Sequence, residues 1–180
     1  MVKLYTKNGD SGNSSLFSGK RLKKSDLIFE ALGQIDELNA LISLVLSKMY
    51  FKEFSDLLIE IQKINYLVMA TLAGDKRPIA GISDLIKKLE QKIDFVLSKK
   101  EVSNRFLLFN DNLFSAEANF LRTFVRKVER VLVSCLIDYK CLDNKESKSL
   151  ILAYVNRLSD FFFAVSLWYA DRKTELVRKA

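Results

Sequence analysis

The stretch "RTFVRKVER", residues 122–130, places four cations and one carboxylate within nine residues. In a helix that turns about 100° per residue, Arg122, Arg126, Lys127, Glu129 and Arg130 gather on one side. Two arginines four residues apart repel each other unless an anion or a carboxylate joins them. The pattern leaves two interpretations open, an anion-binding surface and an ordinary solvated helix face beside an apolar core face.

A second candidate for anion binding lies near the N-terminus, in "TKNGDSGNSS", residues 6–15. Gly9 and Gly12 would let backbone amides approach a ligand, and small polar side chains surround them. Ordering a segment this rich in Gly, Ser and Asn is unfavourable in conformational entropy. The segment is therefore either a flexible terminus or a loop that becomes ordered around an anion.

Polar side chains also lie beside apolar stripes on two other predicted helices. Asp36, Asn39 and Ser43 follow one line of "GQIDELNALIS", and Asn156 and Asp160 lie one turn apart in "NRLSD". A carboxylate at the edge of an apolar face often has a cationic partner, and either arginine of the pair described above would serve. The alternative for Asp36 is an ordinary exposed carboxylate.

The residue types that the chain lacks limit the reactions that it could catalyse. The chain has no histidine, which excludes a Ser–His or Cys–His nucleophile, a histidine-ligated zinc and a histidine proton shuttle. Cys135 and Cys141 form no CxxC pair, so we expect two inert thiols and no protein metal site. Any reaction would use Arg, Lys, Asp, Glu and backbone amides, or be carried by a ligand. The formal net charge of +7 suits an anionic partner, although a lysine-rich surface would also produce it.

Helical periodicity runs through most of the chain and predicts the elements that position these residues. Ser25 or Asp26 would cap the first helix. No alternating strand pattern follows residue 82. Apolar residues recur at spacings of three and four in five segments, residues 25–49, 53–73, 83–98, 113–138 and 146–172.

The fold prediction is an all-α, single-domain five-helix bundle. One domain covers residues 1–180, with the bundle over about 25–172 and a Gly/Ser-rich segment over 1–24. No run reaches the ~18 apolar residues of a membrane span, and the N-terminus does not resemble a signal peptide. We therefore expect a cytoplasmic protein.

Four blocks of the sequence, taken together, resemble one known family. In order they are "LYTKNGDSGNSSLFSGKRLKK", "FEALGQIDELNALI", "RTFVRKVERVLV" and "YVNRLSDFFF". In order and spacing they are similar to the PduO-type ATP:cob(I)alamin adenosyltransferases, and the likeness covers nearly the whole chain. The first block and the arginine block are specific in combination.

The resemblance implies a helical bundle that assembles as a homotrimer and binds ATP at subunit interfaces. Mg²⁺ would bridge the phosphate oxygens, and the N-terminal loop is not a Walker A sequence because no GxxxxGK[ST] occurs. The family pattern assigns ATP binding to Thr6, Lys7, Asn8, Gly9, Ser14, Ser15 and Lys24 near the N-terminus, to Arg126, Lys127, Glu129 and Arg130 on the fourth helix, and to Asn156 on the fifth.

The implied reaction transfers the 5′-deoxyadenosyl group of ATP to the cobalt of cob(I)alamin, giving adenosylcobalamin and triphosphate. Cobalt is the nucleophile, so the reaction needs no histidine. Arg126 and Glu129 would act at the nucleotide, Arg122 would pair with Asp36 across the subunit interface, and Phe106 would press on the corrinoid. A flavoprotein reductase and an adenosylcobalamin-dependent enzyme are the expected protein partners, with neither nucleic acid nor membrane among them.

The chain departs from the family pattern at several positions. Asn8 replaces a threonine, Asn119 a histidine and Lys127 an arginine, while "FND" at 109–111 replaces a Pro-Gly-Gly turn. We therefore expect the nucleotide half of the site to be better preserved than the corrinoid half, unless Phe109 rebuilds an apolar floor against the corrin ring.

Two other classes of function stay open. One is a nucleotide- or corrinoid-binding relative that has lost turnover. The other is a basic helical module that binds nucleic acid, which would show salt-sensitive binding without ATP. The presence of Glu129 among the cations and the lack of interleaved aromatic residues argue against the second.

Overall fold

The computed structural model describes residues 5, 7–48, 53–100, 105–170 and 176–179, and within these ranges five helices form the molecule. The all-α bundle predicted from periodicity is confirmed. The fourth helix continues into one π-helical turn, Ser134–Asp138. The helices are α1 (Leu27–Ser47), α2 (Ser55–Leu72), α3 (Ile82–Leu97), α4 (Leu113–Val133) and α5 (Lys145–Tyr169).

Short polar side chains determine where three of the helices begin. Asp26, one of the two caps that the sequence allowed, caps α1 by accepting a hydrogen bond from the Ile28 amide at 3.2 Å. Asn112 and Asn144 cap α4 and α5 in the same way, each accepting from the amide three residues later at 2.9 Å. Such caps satisfy amides that the first turn of a helix leaves unpaired.

α5 is the central element of the core. Its buried side chains pack mainly against α4 and α3, while α1 packs against both α2 and α4. An ion pair between Lys48, just after α1, and Glu117, near the start of α4, shows that these two helices run antiparallel. Within the described ranges, α5 alone is long and apolar enough to cross a membrane. The sequence analysis did not recognise this helix as a candidate span because charged residues interrupt its apolar run. Since 61% of its most apolar window is buried inside the bundle, we interpret it as a core helix.

Short strands flank the bundle. β1 (Asn13–Ser15) and β2 (Arg21–Lys23) form an antiparallel hairpin, and β3 (Arg105–Leu107) pairs antiparallel with β4 (Leu176–Lys179). The expectation of no strand after residue 82 was therefore wrong. Three or four residues are too few to show alternation, and β3 and β4 lie far apart in sequence, so only the folded chain brings them together.

A buried polar network links three helices. The Tyr154 hydroxyl on α5 donates to Asn65 Oδ1 on α2 at 2.9 Å, and Asn65 Nδ2 donates to Asn39 Oδ1 on α1 at 2.8 Å. The three residues are 2–3% exposed. Buried polar groups that are fully paired stabilise a particular arrangement of helices, because losing one partner leaves another without a hydrogen bond.

Tyr154→Phe is expected to lower the free energy of unfolding by about 1–3 kcal/mol at neutral pH, because Asn65 Oδ1 loses its donor. Burial raises the pKa of Tyr154 above its ordinary value. The unfolded chain therefore releases this proton first, and the tyrosine destabilises the fold as pH rises above about 10. The difference in the free energy of unfolding between wild type and Tyr154→Phe, measured by urea titration, should shrink at alkaline pH. Tyr139→Phe, at a residue that is 71% exposed, is the matched control, and an equal effect there would contradict the network's importance.

Candidate active site

The N-terminal segment folds as a hairpin whose strands carry the predicted nucleotide residues. Ser14 pairs with Leu22 and Ser15 with Arg21 in the antiparallel register. The turn between the strands closes where the Leu16 amide donates to the Lys20 carbonyl at 2.9 Å. Residues 13–23 therefore adopt a defined hairpin, and the ordering of the loop around an anion stays a prediction.

The loop before β1 is held by backbone bonds and by two basic residues, Arg21 in β2 and Lys24 just after it. The Gly12 amide donates to the Gly9 carbonyl at 3.2 Å, and the Lys24 amide donates to the Gly12 carbonyl at 2.8 Å. A Cβ placed on Gly9 would lie 3.0 Å from Lys24 Nζ, so the ammonium group lies directly over the glycine backbone. Arg21 Nη2 donates to the Asn8 carbonyl at 3.2 Å. The result is an exposed basic loop.

The remaining predicted residues of this segment fit the same surface. Lys7, which has a φ of +61°, is exposed with Asn8 and Ser15, whereas Ser14 is half-buried. Thr6 lies outside the described residues.

A second group of predicted residues meets between α4 and α5. Arg126 Nη1 lies 2.9 Å from Glu129 Oε2, and Asn156 Nδ2 donates to Glu129 Oε1 at 3.1 Å. Both carboxylate oxygens of Glu129 therefore have partners. Arg130 Nη1 donates to the Arg126 carbonyl at 3.0 Å, beside this group. The guanidinium of Arg126 is half-exposed, so its other N–H groups face solvent and could donate to an anion.

Lys127 does not join that cluster in the structure. Its ammonium lies 5.3 Å from the centroid of the Phe124 ring, a cation–π contact on another side of α4. Lys127 is exposed and remains a candidate for ATP binding without a described link to Glu129.

Arg122 and Asp36 do not meet within one chain. Arg122 Nε donates to Asn119 Oδ1 at 2.8 Å, and no ion pair of Arg122 or of Asp36 occurs among the described residues. Burial, followed by the nearby charge of Arg126, lowers the pKa of Arg122. A half-buried arginine without a carboxylate is stabilised by any anionic group that reaches it, so the pairing with a neighbouring subunit stays a prediction.

Among the residues that the structure describes, no hydrogen bond or ion pair joins the hairpin to the α4–α5 cluster. Each of the two basic surfaces is held together by contacts of its own.

Comparison with known proteins decides the family. A model of the cobalamin adenosyltransferase family matches residues 4–169. The chain belongs to this family. A corrinoid adenosyltransferase of Citrobacter freundii is 30% identical over 171 residues, covering 92% of this chain and 94% of the relative. The corrinoid adenosyltransferase PduO of Salmonella typhimurium is 32% identical over 168 residues, covering 91% of this chain and 48% of the relative.

Solved structures agree with the sequence relatives. A variant PduO-type ATP:corrinoid adenosyltransferase from Lactobacillus reuteri, complexed with cobalamin and ATP, has a TM-score of 0.80 and 25% identity, covering 98% of this chain and 100% of that one. Another variant of that enzyme, complexed with ATP, has a TM-score of 0.77 and 28% identity, with 92% and 93% covered. This chain is accordingly a corrinoid adenosyltransferase, and its activity is ATP-dependent adenosylation of a corrinoid.

The corrinoid half of this adenosyltransferase differs from the sequence expectation at Phe109. Phe109 is 9% exposed and packs edge-on against Phe163, with ring centroids 5.9 Å apart. Its ring is therefore part of the core, and the contact with the corrin ring suggested from the sequence stays a prediction that this burial argues against. Phe106, assigned to the corrinoid, lies in β3, but its side chain is outside what the structure describes.

The residues after Phe109 begin a helix. Asp111 Oδ1 accepts from the Ser115 hydroxyl at 2.6 Å and from the Asn112 amide at 3.1 Å. Asn112 caps α4 and donates from Nδ2 to the Tyr169 carbonyl at 2.7 Å. The segment that replaces the Pro-Gly-Gly turn is thus a helix cap tied to the end of α5.

Within the described ranges, the adenosyltransferase offers no group of three His, Cys, Asp or Glu side chains that could hold a metal ion. Cys135 and Cys141 are free, and burial, with a smaller contribution from Cys141, raises the pKa of the Cys135 thiol, which favours the inert interpretation. The donor set fits Mg²⁺ only as an ion that ATP brings, since this metal commonly binds substrate phosphates with few protein ligands.

Sequence reasoning missed three contacts at or near the predicted site residues. Arg21 donates to the Asn8 carbonyl, Asn119 accepts from Arg122 one turn later on the same helix, and Gly74 lies against Ser18 in the hairpin turn. The basic run "GKRLKK" contained Arg21, and the spacing of three between Asn119 and Arg122 was open to helical periodicity, whereas nothing local to Gly74 indicated its contact.

Proposed function

We propose that this enzyme transfers the 5′-deoxyadenosyl group of ATP to cob(I)alamin at sites formed between the subunits of a homotrimer. The observation that carries the proposal is the Arg126–Glu129–Asn156 cluster, in which three residues from two helices form one hydrogen-bonded group on the surface. The family pattern assigned all three to the nucleotide before their contacts were known.

The cluster suits a reaction in which a polyphosphate departs. A Co–C bond forms as the cobalt electron pair attacks C5′ of ATP, and the C5′–O bond breaks with its electron pair leaving on triphosphate. No proton has to move, which agrees with a chain without histidine. Arg126 would stabilise the charge that grows on the triphosphate. Because Glu129 holds Arg126 and Asn156 holds Glu129, the guanidinium is oriented before the substrate binds.

The hairpin would supply the rest of the phosphate site. Lys24 and Lys7 provide positive charge, Ser14 and Ser15 provide hydroxyl donors, and Gly9 leaves space where Lys24 crosses the loop. Asn8 would contribute its backbone and amide, and Thr6, outside the described residues, keeps the ATP-binding assignment given by the family pattern. Mg²⁺ would enter with ATP and neutralise phosphate charge.

Three observations support assembly as a trimer. The hairpin and the α4–α5 cluster share no hydrogen bond or ion pair within the described part of one chain, so a neighbour would have to complete each site. Arg122 and Asp36 are both without ion pairs there. Leu44 on α1 and Phe120 on α4 are apolar and more than half exposed, which favours a protein partner.

The other proposals concern the remaining site residues and the cellular setting. Phe106 would contact the corrinoid, and Lys127 and Arg130 would add charge near ATP. The enzyme would work in the cytoplasm. A flavoprotein reductase would supply the reduced corrinoid, and an adenosylcobalamin-dependent enzyme would receive the product. Neither nucleic acid nor a membrane is proposed as a partner.

The reaction is tested by mixing the enzyme with ATP, Mg²⁺ and chemically reduced cobalamin, and following the visible spectrum for adenosylcobalamin. Separate titrations should show ordinary ATP affinity and weaker binding of cob(II)alamin than in a relative that keeps the Pro-Gly-Gly turn. The expected difference follows from the buried Phe109 and from Asp111, which is bonded to the first turn of α4; they replace a turn able to approach a flat ring. Binding of both ligands without any spectral change would favour a relative that has lost turnover. Tight corrinoid binding with weak ATP binding would contradict the expectation that the nucleotide half of the site is the better preserved.

A further inference from the structure

A glycine ends α2 in a conformation that other residues rarely adopt. The Gly74 amide donates to the Thr71 carbonyl at 3.0 Å, and the Asp75 amide donates to the Ala70 carbonyl at 2.9 Å. These two bonds form a Schellman motif, and Gly74 has a φ of +104°. The backbone conformation alone therefore favours glycine at this position.

The turn of the hairpin docks on this end of α2. The Ser18 amide donates to the Ala73 carbonyl at 3.0 Å and so satisfies one of the carbonyls that a helix C-terminus leaves unpaired. A Cβ built on Gly74 would lie 2.5 Å from Ser18 Cβ and 3.0 Å from Ser18 Oγ. Since a contact of 2.5 Å is too short for two carbon atoms, a side chain at residue 74 would push the hairpin turn away from the helix.

Displacing the turn would move the nucleotide residues with it. Ser14 and Ser15 lie on β1 immediately before the turn, and Lys24 follows β2 immediately after the strand. The strands are short and paired along their length, so they transmit a shift of the turn to both groups.

We propose that Gly74 is a positioning residue for ATP, because its missing side chain lets the hairpin dock on α2 and thereby fixes Lys24, Ser14 and Ser15. The inference rests on the proposed role of the hairpin in binding ATP. Gly74 itself touches no substrate, so its effect is transmitted through Ser18.

The test compares Gly74→Ala with two matched variants. Gly74→Ala should raise the KM for ATP and lower kcat/KM between about ten- and a hundredfold, the loss expected from a small misplacement of binding groups. Gly81→Ala is the control, because Gly81 has a similar φ of +82° but its Cβ would meet only Ile64 Cδ1 at 3.8 Å. Ser18→Gly combined with Gly74→Ala should recover most of the loss, since it removes the two closest atoms and the next, Ser18 Cα, lies 3.5 Å from the new methyl group. The dissociation constant for cobalamin should not change in any of them.

Hydrogen exchange in the ligand-free enzyme measures the docking without ATP. The Ser18 amide should exchange faster in Gly74→Ala than in wild type, and protection should return in the double variant. The inference would be overturned if the Ser18 amide in Gly74→Ala were as protected as in wild type, or if it lost no more protection than in Gly81→Ala. Lys24→Ala separates this failure from failure of the proposed function. If Lys24→Ala raises the KM for ATP while Gly74→Ala does not, the positioning role is wrong, whereas unchanged ATP constants in Lys24→Ala would remove the hairpin from the ATP site.

Discussion

Replacing Arg126 by alanine is expected to lower kcat about a hundred- to a thousandfold, equivalent to roughly 2.7–4 kcal/mol of transition-state stabilisation. Negative charge on the triphosphate increases as the C5′–O bond breaks, and in the proposed site Arg126, which lies 2.9 Å from Glu129, would stabilise that charge. The free energy of unfolding should barely change, because the side chain is half-exposed on the polar face of α4. Steady-state kinetics with varied ATP and urea titrations measure the two quantities.

Arg157→Ala is the matched control for Arg126→Ala. Arg157 is also partly exposed and ion-paired, at 3.1 Å from Glu90 and 2.7 Å from Asp160, but its partners lie on α3 and α5 rather than in the cluster. Its loss should leave kcat close to that of wild type. Arg126→Lys should be intermediate, because lysine keeps the charge and loses the planar fork. Native turnover in Arg126→Ala would show that the basic face of α4 is only a solvated surface.

The largest change in assembly is expected from Asp36→Arg. If Asp36 pairs with Arg122 of a neighbouring subunit, the reversal places two cations together at each interface. Removing one partner from a buried pair costs about 3–5 kcal/mol, enough to dissociate an oligomer at micromolar concentration. Sedimentation velocity should then show monomers, and turnover should fall with the trimer because each proposed site would use residues of two subunits.

The reciprocal variant tests this pairing directly. Asp36→Arg combined with Arg122→Asp restores opposite charges and should recover the trimer, together with part of the activity. Asp94→Arg, at an exposed carboxylate on α3, introduces the same charge change away from α1 and α4 and should leave assembly intact. A wild-type protein that sediments as a monomer, or a double variant no better than the single one, would contradict the predicted interface.

The helices and their polar faces follow from the sequence alone because helix formation depends on neighbours three and four residues apart. The spacing of apolar residues predicted all five helices, and the cap of α1 was narrowed to Ser25 or Asp26 from residue type and position. The same local geometry placed Arg126 and Glu129, three residues apart, on one face. The lack of histidine likewise restricted the chemistry before any fold was known.

Tertiary structure decided how those faces are used. Asn156 reaches Glu129 only because α5 packs beside α4, and Phe109 turns into the core because Phe163 offers it a partner there. The strands β3 and β4 escaped recognition since neither is long enough to form without the other. Gly74 acquires its role from the docking of Ser18, a residue more than fifty positions earlier. Contacts of this kind depend on the packing of distant segments, which local spacing does not encode, and they set the geometry of the site.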